Sequence, residues 1–137
     1  MMKMNPYLTF DGQCEEAFKF YAEVLGGKID AIMPFKGTPA EEHMPPESRD
    51  KVMHASLTFE GGVLMGTDAP PAYRRPMQGM SVSLHLPDPQ EAERLFTALA
   101  EGGRVTMPME ETFWAQRFGA VTDRFGTPWM INCDRPA

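Results

Sequence analysis

A chain of 137 residues with a net charge of −6 and a pI near 5.0 has the length of one compact domain and the wrong sign for gripping a nucleic-acid backbone, which takes clustered Lys and Arg. Its 42% hydrophobic and 23% charged residues are those of a globular rather than a disordered chain, and no apolar run approaches the ~20 residues that span a bilayer. Cys14 and Cys133 stand far apart in a sequence without a signal-like segment, which points to reduced thiols in a cytoplasmic setting rather than a disulfide scaffold.

Residues 5–10 read as a first strand, with Leu8 and Phe10 alternating against Tyr7 and Thr9. Asp11 is the expected N-cap of a helix whose apolar stripe is Cys14, Ala17, Phe18, Tyr21, Val24 and Leu25, and Gly26 with Gly27 ends it. Residues 28–35 form the next strand, closed by Pro34. Residues 36–51 are rich in Pro and Glu without periodicity, which predicts a long loop or flap. Residues 52–59 and 63–65 read as a hairpin around Gly61 and Gly62.

A Pro-rich linker over residues 67–79 precedes what reads as a second copy of the same order. Residues 81–86 alternate Ser81, Ser83 and His85 against Val82, Leu84 and Leu86. Asp88, Pro89 and Glu91 make a capping box, Ala92, Leu95, Phe96 and Leu99 supply the stripe, and Gly102 with Gly103 stops the helix. Strands follow over residues 104–109, 117–123 and 127–133, with a turn at Arg124 to Gly126. The expected architecture is α+β: one domain over residues 1–137 built from tandem βαβββ modules, residues 1–68 and 79–137, forming a curved mixed sheet around a cleft. Helices covering Leu8, Phe10, Val82, Leu84 and Leu86 leave Asn5, Tyr7, Thr9, Ser81, Ser83 and His85 facing that cleft.

The stretches NPYLTFDGQCEEAFKFYAEVLGG and ETFWAQRFGAVTDRFGTPWMIN resemble the PhnB-like family, also labelled 3-demethylubiquinone 3-methyltransferase-like. It belongs to the vicinal oxygen chelate superfamily of glyoxalases, bleomycin-resistance proteins and dioxygenases. The resemblance implies that superfamily's fold, and it puts Asn5, Ser81, Met65 and Met130 where metal-using relatives carry their four ligands. Two thioethers, an amide and a hydroxyl suit no ordinary divalent metal, so neither metal nor cofactor is expected. A nucleoside-type methyl donor would need a Gly-rich strand-to-helix turn. The glycine pairs here fall at helix ends and in a hairpin instead.

The candidate ligand contacts are Tyr7, His54, His85, Phe113, Trp114 and Gln116. The histidines fall on cleft-facing strand positions, and the aromatics with Gln116 fall in a short connection able to offer a flat apolar wall and hydrogen bonds. His85 is also the candidate general base, whereas His43 belongs to the solvated flap. The leading expectation is a small-molecule binder for an apolar or aromatic ligand, with no nucleic-acid or membrane partner, as a homodimer. Two rivals stay open. One is a lyase, isomerase or dioxygenase using His85 as base or a relocated metal on His54, His85 and Glu111 or Asp68. The other is a dimeric partner-binding protein whose aromatic loop serves the interface.

Overall fold

The structure, a computed structural model, describes residues 1–136. The chain forms two compact units divided between Pro76 and Met77. The first runs β1 (Tyr7–Phe10), α1 (Cys14–Leu25), β2 (Lys28–Pro34), β3 (Val52–Phe59) and β4 (Gly62–Asp68). The second runs β5 (Val82–Leu86), α2 (Pro89–Ala100), β6 (Arg104–Glu110), β7 (Ala115–Thr122) and β8 (Pro128–Asp134). Each unit is a four-stranded mixed sheet, ordered β1-β4-β3-β2 and β5-β8-β7-β6. The first and last strands of each unit pair in parallel and the remaining pairs are antiparallel. This is the tandem βαβββ, α+β architecture read from the sequence.

Register makes the repeat quantitative. Tyr7 lies opposite Met65 and Ser83 opposite Met130, so first strands are related by 83 − 7 = 76 residues and last strands by 130 − 65 = 65. The glycine pairs serve similar turns in both units. Gly26 and Gly102 adopt positive φ, 67° and 72°, which L side chains avoid; Gly26 is itself the left-handed C-cap of α1, whereas α2 ends through extended Glu101 and Gly102 follows in the turn. A Cβ on the second glycine of each pair would run into the carbonyl oxygen of Thr58 (Gly27) or Thr122 (Gly103).

Helix α1 buries Cys14, Ala17, Phe18, Tyr21 and Val24 against the sheet, chiefly β3, with the rings of Phe18 and the β1 residue Phe10 edge to face at 6.3 Å. Helix α2 buries Ala92, Leu95 and Leu99, and the β8 residues Trp129, Ile131 and Cys133 are buried in the same unit. Residue spacing accounts for both stripes, because positions three and four apart share a helix face.

The start of α1 differs from expectation. Asp11 does not cap it, and the N-cap position is Gln13, without a side-chain cap. The carboxylate of Asp68, 1% exposed, accepts from Cys14 N at 3.0 Å and from Val52 N at 2.9 Å. Asp11 instead pairs with Arg74 at 2.8 Å. In the second unit Asp88 caps α2 as predicted, accepting from Gln90 N at 2.9 Å, but Glu91 does not complete a capping box and pairs with Arg94. Residues 36–51 are not an open flap. Two 3-10 turns, Pro39–His43 and Pro46–Ser48, bury Met44 and Ser48 beside the buried Phe35 and Val52, and Lys36 N donates to Arg49 O at 2.8 Å.

Replacing Asp68 by Ala strands two buried N–H groups, each bonded to a charged acceptor. Urea unfolding should show a loss of about 3 kcal/mol with an unchanged m value, whereas Asp11→Ala, which removes an exposed ion pair, should cost under about 1 kcal/mol.

Candidate functional site

In each unit one sheet face carries the helix. The other presents the side chains left over by the period of two. In the second unit these fall in two rows. Ser83 lies opposite Met130, Met130 opposite Ala120 and Ala120 opposite Met107; His85 lies opposite Asn132, Asn132 opposite Phe118 and Phe118 opposite Glu110.

Polar groups on this face connect in series. Trp114 Nε1 donates to Asn132 Oδ1 at 3.0 Å, and Asn132 Nδ2 donates to Asp134 Oδ1 at 2.6 Å. That oxygen lies 4.0 Å from His85 Nδ1, while His85 Nε2 lies 2.8 Å from Ser83 Oγ. Asn132 is buried, 4% exposed, whereas His85 and Asp134 are exposed. Beside this series the Trp114 ring meets Phe113 edge-on at 4.9 Å and Phe118 at 5.3 Å. Phe113 is 89% and Trp114 47% exposed. Apolar surface held out in water by a hydrogen-bonded indole is the kind that marks a binding patch.

The first unit places Met65 opposite Tyr7 and Met33 opposite His54. The Tyr7 hydroxyl lies 3.2 Å from His54 Nδ1 with the rings 5.8 Å apart. Desolvation, with a smaller contribution from Cys14, raises the Tyr7 pKa against the lowering effect of the Thr67 hydroxyl, so the phenol stays a proton donor at neutral pH.

The six predicted contacts therefore gather into two groups: Tyr7 with His54 in the first unit, and His85, Phe113, Trp114 and Gln116 in the second. Gln116 is not in the loop as expected. It is the extra residue of a bulge in β7, between Ala115 and Arg117, and its Nε2 donates to Asp134 O at 2.7 Å. Ser83, Asn132, Asp134 and Phe118 escaped the sequence reading as site residues. Alternation with His85 signals Ser83, but Asn132 and Asp134 join the site only through strand register.

The carboxylates read as candidates for a relocated metal site are engaged elsewhere. Asp68 spends its carboxylate on two backbone N–H groups, Glu111 pairs with Arg135 at 3.0 Å, and among the described residues no group of three or more His, Cys, Asp or Glu is placed to hold a metal ion. The inherited positions Asn5, Ser81, Met65 and Met130 offer an amide, a hydroxyl and two thioethers, a donor set that does not fit a hard or borderline divalent ion. Neither thiol offers a nucleophile. Burial pushes Cys14 far up, helped by Asp68 and Glu15, and pushes Cys133 up, helped by Asp134 and Asp88.

A family model described as 3-demethylubiquinone-9 3-methyltransferase matches residues 2–132. The chain belongs to this PhnB-like family. Protein YjdN of Escherichia coli (strain K12) is 34% identical over 139 residues, covering 96% of this chain and 95% of that protein. The crystal structure of protein PA1353 from Pseudomonas aeruginosa superposes with a TM-score of 0.90 at 47% identity, covering 99% of this chain and 100% of the other. A glyoxylase/bleomycin resistance protein/dioxygenase domain from Frankia sp. EAN1pec, 19% identical, has a TM-score of 0.61 over 98% of both chains and shares the fold. The methyl transfer in the family's description finds no support in the PhnB-like chain's own residues. Its helices open after Gln13 and Asp88 without a Gly-rich turn, and its paired glycines close helices or a hairpin. Among the described residues no helix is long and apolar enough to cross a membrane.

A thiol whose folded pKa lies above its unfolded value near ~8.5 contributes stability that is fully present below that value and is lost as pH climbs toward the folded one. Cys14 dominates this effect. Urea midpoints followed from pH 7 to 10.5 should fall above about pH 8.5, and Cys14→Ala, whatever its cost at neutral pH, should flatten the slope.

Proposed function

We propose that this protein binds an apolar or aromatic small molecule against the β5–β8–β7–β6 face, using Phe113, Trp114, Phe118, Met107 and Met130 as apolar contacts and His85 as hydrogen-bonding partner. The carrying observation is that Trp114 is half-exposed yet fixed, its N–H tied to buried Asn132 and its ring braced between Phe113 and Phe118. Such a wall is ordered before a ligand arrives, which removes part of the entropic cost of binding. Thioethers on the same face adapt to varied ligand shapes. Tyr7 and His54 give the first unit a hydrogen-bonding face of its own, and we assign them to the same ligand class. The donor set at Asn5, Ser81, Met65 and Met130 supports binding without a metal, and the two buried free thiols fit a reducing cytoplasm.

A second reading makes the aromatic wall the contact between two copies of the chain. It is favoured by β6, an edge strand in the order β5-β8-β7-β6 with Val105 and Met107 about half exposed, since open edges pair readily with other strands.

The two readings separate in one experiment. Trp129 is buried, so an aromatic dye such as anilinonaphthalene sulfonate should quench Trp114 selectively. Trp114→Ala should weaken dye binding about tenfold, the loss of roughly 1.4 kcal/mol of aromatic contact, with light scattering unchanged. Unchanged dye affinity together with dissociation of a dimer would replace the ligand reading by the interface reading. Near-stoichiometric Fe, Mn, Ni or Zn in protein purified without added metal, lost in His85→Ala, would overturn the metal-free part.

A further inference from the structure

We infer that Ser83, His85 and Asp134 form an acyl-accepting serine site, its substrate class an activated ester with an apolar or aromatic body. The inference rests on the reading that the β5–β8 face receives such a molecule. A serine hydroxyl alone is a poor nucleophile. It needs a base on its proton and a third group on the far side of that base. The three side chains stand in that order and on the correct atoms: Ser83 Oγ lies 2.8 Å from His85 Nε2, and His85 Nδ1 lies 4.0 Å from Asp134 Oδ1. A carboxylate beside Nδ1 favours the proton there, leaving the Nε2 lone pair to accept from the serine O–H. Strand alternation puts Ser83 and His85 on one face, and the pairing of His85 with Asn132 brings Asp134, two residues on, alongside.

A positional reason sets this apart from a chance hydrogen bond. Asp134 is itself held, by Asn132 Nδ2 at 2.6 Å, and Asn132 is held by Trp114 Nε1. The ligand wall and the imidazole are thus joined through a single series of contacts. The carboxylate charge, 4.0 Å from Nδ1, favours the imidazolium that forms when Ser83 gives up its proton.

The step balances as follows. Ser83 Oγ bonds to the ester carbonyl carbon while its proton passes to His85 Nε2. The carbon–oxygen bond to the leaving alcohol breaks, and the alcohol departs with that proton. Water then attacks the acyl-serine, His85 takes its proton and returns it to Ser83 Oγ, and the acid is released. Ser83 and His85 are the catalytic residues here, and Asp134 is a positioning residue.

The test is covalent labelling with a fluorophosphonate, in which Ser83 Oγ displaces fluoride, read by intact mass and peptide mapping, with the p-nitrophenyl acetate burst in parallel. One adduct per chain is expected, on Ser83 and not on neighbouring Ser81. Ser83→Ala should abolish it and His85→Gln should slow it about 100-fold, the lower end of what a general base supplies. Asp134→Asn should slow it as well, and Asp134→Glu, which keeps the charge, should restore it. No adduct on Ser83, or equal rates in the parent and His85→Gln, would overturn the inference. Dye binding that Trp114→Ala weakens while Ser83 stays unlabelled would remove the chemistry and leave the ligand site.

Discussion

The carboxylate of Asp68 holds together parts of the first unit that local sequence cannot join. Its two oxygens take the N–H of Cys14 and the N–H of Val52, 54 and 16 residues away in the chain. Each is a backbone donor at the start of an element, where no partner within the element exists. Buried without that acceptor, the donors would forfeit the hydrogen bonds they make to water in the unfolded chain. With it, α1 starts where its Phe18 ring meets Phe10 and lies on Gly66, where a Cβ would collide with that ring. Helix, hairpin and parallel pair are fixed by one side chain.

The second unit solves the same problem with separate groups. Asp88 caps α2 locally, while buried Asp123 accepts from Phe125 N, Thr127 N and Trp129 Nε1, closing the β7–β8 turn and anchoring the largest core side chain. Because the helix-side face is satisfied in this way, the opposite face is free for Asn132, Asp134, His85 and Ser83. Ser83 bonds to His85, Asn132 to Asp134, and the Asn132 amide sets the orientation of Trp114. The apolar wall and the polar series are one construction, since the bond between Trp114 and Asn132 belongs to both.

Much of this fold was legible in the sequence because its signals are local. Stripes at helical spacing, the paired glycines and the alternation around Leu84 and His85 each report on a few neighbours, and the repeat doubled every one of them. The α1 cap was not legible, since the capping carboxylate arrives from the far end of the unit. Residues 36–51 lack a period because 3-10 turns have none of useful length, yet Phe35, Met44 and Ser48 pack. At the site, His85 and Trp114 could be picked out by residue type and position. Asp134 could not, because its role depends on which residue of β5 faces Asn132. Gln116 was misplaced because a bulge shifts the register at that residue.

The long reach of Asp68 also has a meaning for the chain as it is made. A helix whose opening N–H waits for a residue 54 positions later is incomplete while the ribosome is still adding β3 and β4. Parallel pairing of β1 with β4 carries the same delay, and contacts so distant in sequence are slow to form. The second unit caps its helix with the residue just before it, so α2 is locally complete as soon as Asp88 and Gln90 have both emerged. During synthesis the first unit spends the longer time with its helix start open, and its apolar stripe is the surface a nascent-chain chaperone would meet.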